Sequence, residues 1–341
     1  MGVNQKAHVA MIGCGGMARE HVRKMLRQQD TTEVVVVCDP SSEAYDLMAK
    51  VFVDNNLPAP PNQPDLEQLL QEYAGIIDVA FIVTPHASHY EQAKACLDGG
   101  LDVLLEKPMV VTADEAKRLI EARDRSGKLL VIAFNGSLSP QIRKASAMVR
   151  AGELGELRMI TASIWEGWKD AYRGHWKQNP NISGGGFMFD TGAHMMNTVA
   201  DLANDEFVDV AAWLDNRGLE IDILGCVIGR LRSGVLVTLS SCGETLSIGS
   251  DVRIYCTNGI IRTGAWGEEL FVQRAQATGL GQNLFEPIPV PASQGTWEQF
   301  IAVRSGKIEN PSPPEIGLRM AKLWDAIRAS AAQNGVPVRV Q

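Results

Sequence analysis

The sequence predicts an α/β protein of two domains: a parallel sheet with helices on both faces, and then an α+β domain with a large, mostly antiparallel open sheet. Three observations predict this architecture. The 341 residues exceed the size at which a single hydrophobic core usually stops growing. Apolar runs alternate with helical segments as far as residue 135, which is typical of a doubly wound sheet. Short strand-like runs separated by turn residues follow, so we place the domains at residues 1–135 and 136–341.

The first domain begins with a strand, a glycine turn, a helix and a second strand. Residues 9–12 form an apolar strand that ends at the turn Gly13-Cys14-Gly15-Gly16-Met17-Ala18. A helix over 17–28 and a strand over 34–38 follow, and this strand is apolar on both faces, as buried parallel strands are. The alternation continues with predicted helices at 41–53, 65–73, 88–97 and 113–126, and with strands at 79–83, 103–105 and 129–134. Right-handed crossovers between such strands give a Rossmann-type domain.

The glycine turn fits a dinucleotide-binding loop. Gly13 allows the tight turn, Gly15 lacks the Cβ that would hold the backbone away from a pyrophosphate, and Ala18 lets the helix approach the strand. The phosphates would face the amides of Gly16 and Met17 at the start of the helix. A G-x-G-x-x-A string alone also fits an ordinary βα turn. The strand before it, the helix after it and the acid that closes the next strand favour the dinucleotide.

Asp39, at the end of the second strand, predicts which dinucleotide binds. Its carboxylate can accept hydrogen bonds from the adenosine ribose. A 2′-phosphate there would meet a like charge, which costs about 4 kcal/mol at 4 Å if the effective dielectric constant is about 20. The next four residues are Pro, Ser, Ser and Glu, with no Arg among them. We therefore expect NAD as the cofactor, with NADP less favoured.

Two more strand ends of the first domain carry polar groups, at Thr84-Pro85 and at Glu106-Lys107-Pro108. Ligands of open α/β sheets bind beyond the carboxyl ends of the strands. Lys107 is therefore expected within reach of a nicotinamide and of the molecule bound above it. An exposed ion pair with Glu106, worth little, explains the same lysine without a function.

Short strands dominate the second domain. We predict strands at 157–164, 208–214, 223–231, 235–241, 252–256, 260–263 and 270–273. Most turns between them are too short for crossovers, so antiparallel hairpins are expected. Predicted helices lie at 140–151, 191–202, 294–304 and in a final segment that ends near 332, and a loop covers 275–292. The open face of this sheet predicts a homodimer or homotetramer.

Asp190 and His194 follow the triple glycine Gly184-Gly185-Gly186. A helix that begins near Thr191 would place both side chains on one face. An N-cap role for Asp190 and a core position for His194 explain them equally well. Three glycines are costly in chain entropy unless a close backbone approach requires them, so a catalytic pair stays open beside the structural interpretation.

The segment 165–177 is rich in aromatic residues and in hydrogen-bond donors. Aromatic faces and donors together suit a sugar or polyol ring, whose C–H face stacks while its hydroxyls take hydrogen bonds. The candidate substrate residues of this segment are Trp165, Lys169, Tyr172 and Arg173. A loop that only anchors the second domain is the alternative.

The composition excludes several classes of partner. A net charge of −8 and a pI of about 5.4 argue against nucleic acid and anionic membranes. No apolar run approaches the ~20 residues of a membrane span. The six cysteines (Cys14, Cys38, Cys96, Cys226, Cys242 and Cys256) form no metal-ligand pattern, which predicts free thiols, no bound metal and a cytoplasmic location.

Together these motifs resemble the Gfo/Idh/MocA family of NAD(P)-dependent oxidoreductases, named for glucose-fructose oxidoreductase, inositol dehydrogenase and a rhizopine-catabolism protein. The matching motifs, in order, are Gly13-x-Gly15-x-x-Ala18, Thr84-Pro85 with His89, Glu106-Lys107-Pro108, Trp176-Lys177, Gly184-Gly185-Gly186 and Asp190-x-x-x-His194. The resemblance implies oxidation or reduction at a hydroxyl carbon, usually of a sugar or cyclitol, with Lys107, Asp190 and His194 in the active site.

The resemblance also implies the remaining cofactor contacts, which are Thr84, Pro85, His89, Glu106 and Trp176. Three positions depart from the family pattern. Many members carry Arg where this chain has Ser137 and Lys177, and an acidic residue is common where it has Asn197. These departures bear on the identity of the substrate more than on the reaction.

The expected reaction needs a base at the substrate hydroxyl and a positive charge beside the developing alkoxide. His194, with an ordinary pKa near ~6.5, suits the base, and Lys107 suits the charge, although the sequence leaves open an exchange of these roles. Both side chains are then expected to converge on one nicotinamide carbon. Two alternatives remain: a tightly NAD-bound glycosidase that acts by oxidation and elimination, and a non-catalytic NAD-sensing regulator, which has no need of these residues.

Overall fold

The computed structural model describes residues 6–275, 284–292 and 295–341, and the chain divides into two compact units. The first contains the chain up to Val110 together with Asp114–Ala133 and Gly295–Gly317. The second contains Val111–Ala113, the described part of Phe134–Gln294, and Leu318–Gln341. The predicted loop at 275–292 lies partly outside the described residues.

The unit boundaries differ from the predicted domains at two segments, of which the short Val111–Ala113 lies in the second unit instead of the first. The prediction placed everything after residue 135 in the second domain, whereas Gly295–Gly317 returns to the first unit. Trp297 and Phe300 of this segment belong to the hydrophobic core of the first unit. The indole Nε1 of Trp297 also donates a hydrogen bond of 2.7 Å to Thr32 Oγ1. A core contact this distant along the chain leaves no local pattern in the sequence.

The first unit is built on a five-stranded parallel sheet of order β2-β1-β3-β4-β5. Its strands are β1 (Ala7–Ile12), β2 (Thr32–Cys38), β3 (Val79–Ile82), β4 (Asp102–Leu105) and β5 (Leu130–Ile132). The helices that alternate with them are α1 (Gly16–Met25), α2 (Ser42–Val53), α3 (Leu66–Glu72), α4 (His89–Asp98) and α5 (Ala113–Ser126). Strands β3 and β5 are buried along their whole length, because both faces of a doubly wound sheet are covered. The predicted Rossmann-type fold is confirmed.

The second unit contains a nine-stranded sheet of order β13-β12-β11-β10-β6-β9-β8-β7-β14. The strands are β6 (Leu157–Trp165), β7 (Phe207–Asp215), β8 (Leu224–Leu231), β9 (Leu236–Cys242), β10 (Gly249–Cys256), β11 (Gly259–Thr263), β12 (Leu270–Arg274), β13 (Glu286–Pro287) and β14 (Val338–Arg339). The predicted mostly antiparallel sheet is confirmed, with one exception to the hairpin rule. β6 and β9 pair in parallel, because the chain passes through helices and through β7 and β8 before it returns beside β6.

Short helices lead into the longer helices of the second half of the chain. The helices are α6 (Asn135–Leu138), α7 (Pro140–Arg150), α8 (Trp168–Ala171), α9 (Pro180–Ser183), α10 (Phe187–Asp190), α11 (Gly192–Ala203), α12 (Thr296–Arg304) and α13 (Pro314–Ala331). α7 begins with a Pro at its first position and is capped by the Ser139 hydroxyl, as both residue types favour. Among the described residues, no helix is long and apolar enough to cross a membrane.

The nine-stranded sheet buries one face and exposes the other. In β8 the buried residues alternate strictly with the exposed Cys226, Ile228 and Arg230. Ile228 pairs with Thr238 of β9 and with Ala211 of β7, and its side chain is 54% exposed. Trp213 and Leu236 are also more than half exposed, so the open face carries several large apolar side chains.

Candidate active site

The glycine turn between β1 and α1 is shaped by the chain itself at Gly13. Its φ of +98° lies in the region that favours glycine, and a Cβ would lie 2.3 Å from the Val83 carbonyl oxygen. The Gly13 amide donates to the Cys38 carbonyl over 2.8 Å. This glycine therefore joins the ends of three neighbouring strands and would be needed with or without a ligand.

Gly15 has no such explanation within the protein. Its φ of −63° suits any residue, and a Cβ built on it would have no neighbour within 4 Å. Gly16 begins α1, whose first turn contains no acidic side chain. Free space beside a glycine at a helix N-terminus is what a phosphate requires, so the turn fits the pyrophosphate of a dinucleotide.

Two other members of the predicted turn differ in exposure. Ala18 is fully buried in the core, whereas the Met17 side chain is largely exposed. Arg19 was not among the residues predicted from the sequence, and its Nη1 donates to the Cys14 carbonyl oxygen over 2.7 Å. This bond holds a cation beside the turn. An Arg in the first helical turn after a glycine loop was a signal that could have been used.

Asp39 is fixed beside the same turn. Its Oδ2 accepts the Cys14 amide at 2.7 Å, and its Oδ1 accepts the Ser41 amide at 2.9 Å. The Asn62 side chain brackets the Asp39 backbone with two hydrogen bonds, of 3.1 and 3.0 Å. A carboxylate has about four acceptor sites, so the Asp39 oxygens can still accept ribose hydroxyls. Burial and the Asp39 charge raise the pKa of Cys14 to about 12, so this thiol stays protonated and is no nucleophile.

His89 lies behind the strand ends rather than at their surface. The imidazole is fully buried, with Nδ1 2.8 Å from the Pro108 carbonyl oxygen and Nε2 3.0 Å from the Thr84 carbonyl oxygen. Burial lowers the pKa of His89, and it outweighs the two carbonyl contacts, which raise it. Its position links the two predicted cofactor loops. The Thr84 hydroxyl donates to Gln92 Oε1 at 2.5 Å, and Pro85 precedes a single helical turn that begins at His86.

Glu106 is largely buried, whereas the structural interpretation of Lys107 placed it at an exposed position. Its Oε1 lies 2.7 Å from Nε2 of His21 on α1, a residue that the sequence analysis did not single out. Glu106 Oε2 accepts the backbone amide of Lys107 at 2.9 Å. Burial raises the pKa of Glu106, but the hydrogen bond and charge of His21, the Lys107 charge and the Lys107 amide outweigh it and lower this pKa to about 2.

In the second unit, Asp190 is the centre of a buried polar cluster. It is 1% exposed, and its Oδ2 accepts from Trp168 Nε1 at 2.9 Å and from Lys177 Nζ at 2.7 Å. Lys177 Nζ also lies 4.3 Å from the centre of the Tyr172 ring. Burial lowers the pKa of Lys177, but the charge and hydrogen bond of Asp190 together with the Tyr172 hydroxyl outweigh burial and raise it, so the cluster pairs a cation with the carboxylate.

Asp190 is therefore no N-cap. It ends α10, and the N-cap position of α11 is occupied by Thr191 without a side-chain cap bond. His194 lies in the first turn of α11 and is 7% exposed. Its ring packs edge-on to Phe134 at 6.2 Å and lies 5.9 Å from Trp266. Nothing in the sequence around Trp266 identified this neighbour.

The triple glycine is explained by packing inside the protein, which corrects the argument that it marks a ligand. Gly184 has a φ of +75° and a Cβ there would lie 2.6 Å from Val111. A Cβ on Gly185 would meet Phe189 and Trp324, and one on Gly186 would lie 1.9 Å from the Asp222 carbonyl oxygen.

Asp222, which was not predicted from the sequence, fixes the start of α10. Its two carboxylate oxygens accept the amides of Gly186 and Met188, both at 2.7 Å. Burial raises the pKa of Asp222. The segment that carries Asp190 is thus anchored through a buried carboxylate that lies thirty-odd residues later in the chain.

The aromatic segment contributes unequally to the cluster. Trp165 packs against Gly249 of the neighbouring strand, where a Cβ would lie 2.5 Å from the indole. Lys169 pairs with Glu244 at 2.8 Å, and the exposed Arg173 pairs with Asp170 at 2.6 Å. Trp176 lies beside Lys177, with 6.0 Å between Nζ and the ring centre. Of the predicted substrate residues in this segment, Tyr172 is the one placed at the Asp190 cluster.

Two of the three departures from the family pattern contact each other. Asn197 Nδ2 donates to Ser137 Oγ over 2.7 Å, and Asn197 Oδ1 accepts from Arg319 at 2.8 Å. Arg319 also pairs with Asp201 at 2.5 Å. The network joins α6, α11 and α13 one turn beyond His194. Within residues 6–275, 284–292 and 295–341, no cluster of His, Cys, Asp and Glu could hold a metal ion.

Similarity to known proteins extends over most of the chain. An inositol 2-dehydrogenase from Pseudomonas fluorescens is 25% identical over an alignment 354 positions long, which covers 96% of this chain and 92% of that protein. A 1-carboxy-3-chloro-3,4-dihydroxycyclohexa-1,5-diene dehydrogenase from Comamonas testosteroni is 30% identical over 47% of this chain. The match spans 39% of that enzyme and 57% of the rhizopine catabolism protein MocA from Rhizobium meliloti.

Solved structures show the same fold. A levoglucosan dehydrogenase in complex with NADH and L-sorbose superposes with a TM-score of 0.85 at 21% identity, over 99% of both chains. An aldose-aldose oxidoreductase from Caulobacter crescentus has a TM-score of 0.83 at 19% identity, over 98% of this chain and 100% of that one. At these identities the likeness establishes the fold.

Family models match both halves of the chain. The oxidoreductase family model with an NAD-binding Rossmann fold matches residues 7–134. The GFO/IDH/MocA C-terminal domain model matches residues 142–262. The motifs from Gly13 to His194 and the two sheets agree with these matches. The chain is a member of the Gfo/Idh/MocA oxidoreductase family.

Proposed function

We propose that this protein is an NAD-dependent dehydrogenase that moves a hydride between nicotinamide and a hydroxyl or keto carbon of a sugar, cyclitol or sugar derivative. The proposal that NAD binds rests on Gly15, because the space beside this glycine is open and the fixed carboxylate of Asp39 lies next to the same turn. Relatives named as an inositol 2-dehydrogenase and a D-glucoside 3-dehydrogenase support the substrate class.

The cofactor would be held by groups already described. The turn from Gly13 to Ala18 with its helix amides suits the pyrophosphate, and Asp39 suits an adenosine ribose without a 2′-phosphate. Among the relatives is also an NADP-dependent scyllo-inositol dehydrogenase, so the preference for NAD rests on Asp39. When bound, the nicotinamide supplies the hydride acceptor or donor.

The side chains of this protein supply proton transfer and charge. His194 would take the proton of the reacting hydroxyl, and Lys107 would stabilise the negative charge that develops on that oxygen. Asp190 is neutralised by Lys177 and anchored by Trp168, which suits a carboxylate that accepts a neighbouring hydroxyl in a fixed direction. The Tyr172 ring beside it suits the C–H face of a sugar.

A substrate screen tests the proposal directly. The purified protein is incubated with NAD or NADP and with sets of aldoses, inositols, glycosides and sugar acids, while formation of NADH or NADPH is followed by its absorbance. We expect one class of polyol to be oxidised with NAD. Cleavage of a glycoside without added cofactor, by protein that copurifies with NAD, would instead favour the oxidation–elimination reaction.

Lys107→Met tests the catalytic assignment. We expect turnover to fall by at least ~100-fold, because a group that acts on the reacting oxygen contributes about this much or more, while the dissociation constant of NADH changes little. Lys117→Met is the matched control, since Lys117 is an exposed lysine of α5. A Lys107→Met protein with the turnover of the wild type would exclude the proposed chemistry.

We further propose that the open face of the nine-stranded sheet joins copies of this chain. The face combines exposed apolar residues such as Ile228 and Trp213 with small residues of the central strands. Large exposed apolar surfaces on soluble domains mark association sites, and a sheet face can pair with itself about a two-fold axis.

A further inference from the structure

His21 is a buried imidazole between the glycine-turn helix and the end of β4. Its Nε2 lies 2.7 Å from Glu106 Oε1, and the two side chains are 9% and 13% exposed. The centre of the His21 ring lies 4.7 Å from that of Phe81 on β3, which packs the imidazole from the side of the sheet. The ring is thus fixed by one hydrogen bond and one aromatic contact.

The carboxylate of Glu106 contacts both His21 and the backbone of the next residue, Lys107. One of its oxygens faces His21 and the other accepts the backbone amide of Lys107 at 2.9 Å. Because the Glu106 carboxylate is charged, Nε2 of His21 must carry the proton that forms the bond. A continuous chain of hydrogen bonds therefore leads from α1 to the backbone of Lys107.

Stability alone does not explain a charged group in this position. Burying the Glu106 carboxylate against a hydrogen-bond donor adds little to folding stability compared with well-packed apolar residues of similar volume, since the cost of desolvating the charge offsets the attraction. Leu and Val side chains occupy the neighbouring positions of β4, so an apolar pair would suit the environment. What the pair does supply is direction, because a carboxylate held at both oxygens cannot rotate.

We propose that His21 is a positioning residue for Lys107, acting through the carboxylate of Glu106. The inference rests on the proposed function of Lys107. It adds that the helix whose N-terminus would face the cofactor phosphates also aligns the catalytic lysine. The position of the loop after β4 is then fixed relative to α1. His21 itself touches neither cofactor nor substrate in this scheme.

Three variants test the proposal. His21→Leu removes the donor at nearly constant volume, His21→Gln restores a donor without the ring, and Glu106→Gln removes the carboxylate while it keeps the side chain. We expect His21→Leu and Glu106→Gln to lower kcat by roughly 10- to 100-fold, since a misplacement of about 1 Å costs this much. In the two His21 variants the dissociation constant of NADH, measured by fluorescence titration, should change by less than about threefold, and His21→Gln should recover most of the lost kcat.

The control is Glu20→Gln, on the adjacent exposed position of α1, where Glu20 pairs with Arg23 and Lys24. It should retain the wild-type kcat. A double-mutant cycle adds a readout that a merely structural role would not produce. In the Lys107→Met background, His21→Leu should cause no further loss of the residual rate, because its effect passes through the lysine.

Two results would overturn the inference. One is a His21→Leu protein with unchanged kcat while Lys107→Met is inactive, which leaves the proposed function intact and removes the role of His21. The other is a parallel loss of kcat, NADH affinity and thermal stability in both His21 variants, which would make the pair purely structural. Full turnover in Lys107→Met would instead refute the proposed function on which the inference rests.

Discussion

Gly15→Ala separates a requirement of the ligand from a requirement of the fold. The new methyl group would have no protein atom within 4 Å, and the φ of −63° at this residue is one that alanine adopts freely. The folded protein should therefore accept alanine without strain. Replacing glycine at such a site stabilises a protein by about 0.4–1 kcal/mol, since the unfolded chain loses conformational freedom.

The same methyl group should obstruct the cofactor. If the pyrophosphate approaches the Gly15 backbone, the methyl overpacks that contact, which typically costs about 1–3 kcal/mol. At a factor of ten for each 1.4 kcal/mol, NADH would bind roughly 5- to 140-fold more weakly. We therefore expect an unfolding temperature equal to or slightly above that of the wild type, together with a clearly raised dissociation constant.

Two measurements on the same sample decide the matter: thermal unfolding without cofactor, and a fluorescence titration with NADH. Gly13→Ala is the control, because its φ of +98° and the Val83 oxygen at 2.3 Å should reduce stability by about 1–3 kcal/mol before any ligand is added. Unchanged NADH affinity in a stable Gly15→Ala protein would refute the assignment of this turn to the pyrophosphate.

Three further predictions follow from the described contacts. Asp39→Ala should raise the ratio of NADP-linked to NAD-linked kcat/KM at least ~10-fold, since a third of the ~4 kcal/mol charge repulsion is already a factor of ten; an unchanged ratio contradicts the role given to Asp39. Lys177→Met should lower turnover and cost about 1–3 kcal/mol of stability, because the buried Asp190 loses a charged donor, whereas Lys177→Arg should restore both in activity and unfolding assays. Ile228→Glu on the open sheet face should reduce the mass measured by light scattering, and Leu246→Glu, an exposed position in the loop after β9, should not; equal masses for wild type and Ile228→Glu would exclude this interface.

The sequence was most informative where structure has a regular period. The alternation of apolar strands with helices predicted the parallel sheet, and α5 was predicted with the bounds Ala113–Ser126 that it has. Strand β8 was predicted within one residue, because its buried and exposed positions alternate strictly. These signals are local, so they need no knowledge of distant contacts.

The sequence was least informative where residues far apart in the chain meet. Asp222 anchors the α10 segment across 36 and 34 positions, and nothing near Gly186 indicates a buried acid so far downstream. The parallel pairing of β6 and β9 likewise could not be predicted from the lengths of the turns between strands. The interpretation of the triple glycine as a ligand signal was wrong for the same reason, since the atoms that require glycine there belong to Val111, Trp324 and Asp222.

The same contrast between local and distant signals holds for the residues of the candidate site. Asp39, Glu106 and Lys107 were predicted because each follows an apolar strand in the sequence, whereas His21 and Arg19 of α1 were passed over as ordinary helix residues. His21 could have been suspected, since a histidine on the buried face of a helix needs a polar partner. Lys177 was noted as a departure, but its bond to Asp190 appeared in the structure alone.

The return of Gly295–Gly317 to the first unit affects how this protein can be synthesised and divided. Trp297 and Phe300 fill the core of a sheet whose strands end near Ile132, so the N-terminal half emerges from the ribosome long before the side chains that complete it. Until then, Phe81 lacks the Trp297 ring that stacks on it with 6.1 Å between the ring centres. A gene fragment that stops at residue 135 would leave that gap permanently, and an isolated cofactor-binding half must therefore include the late segment.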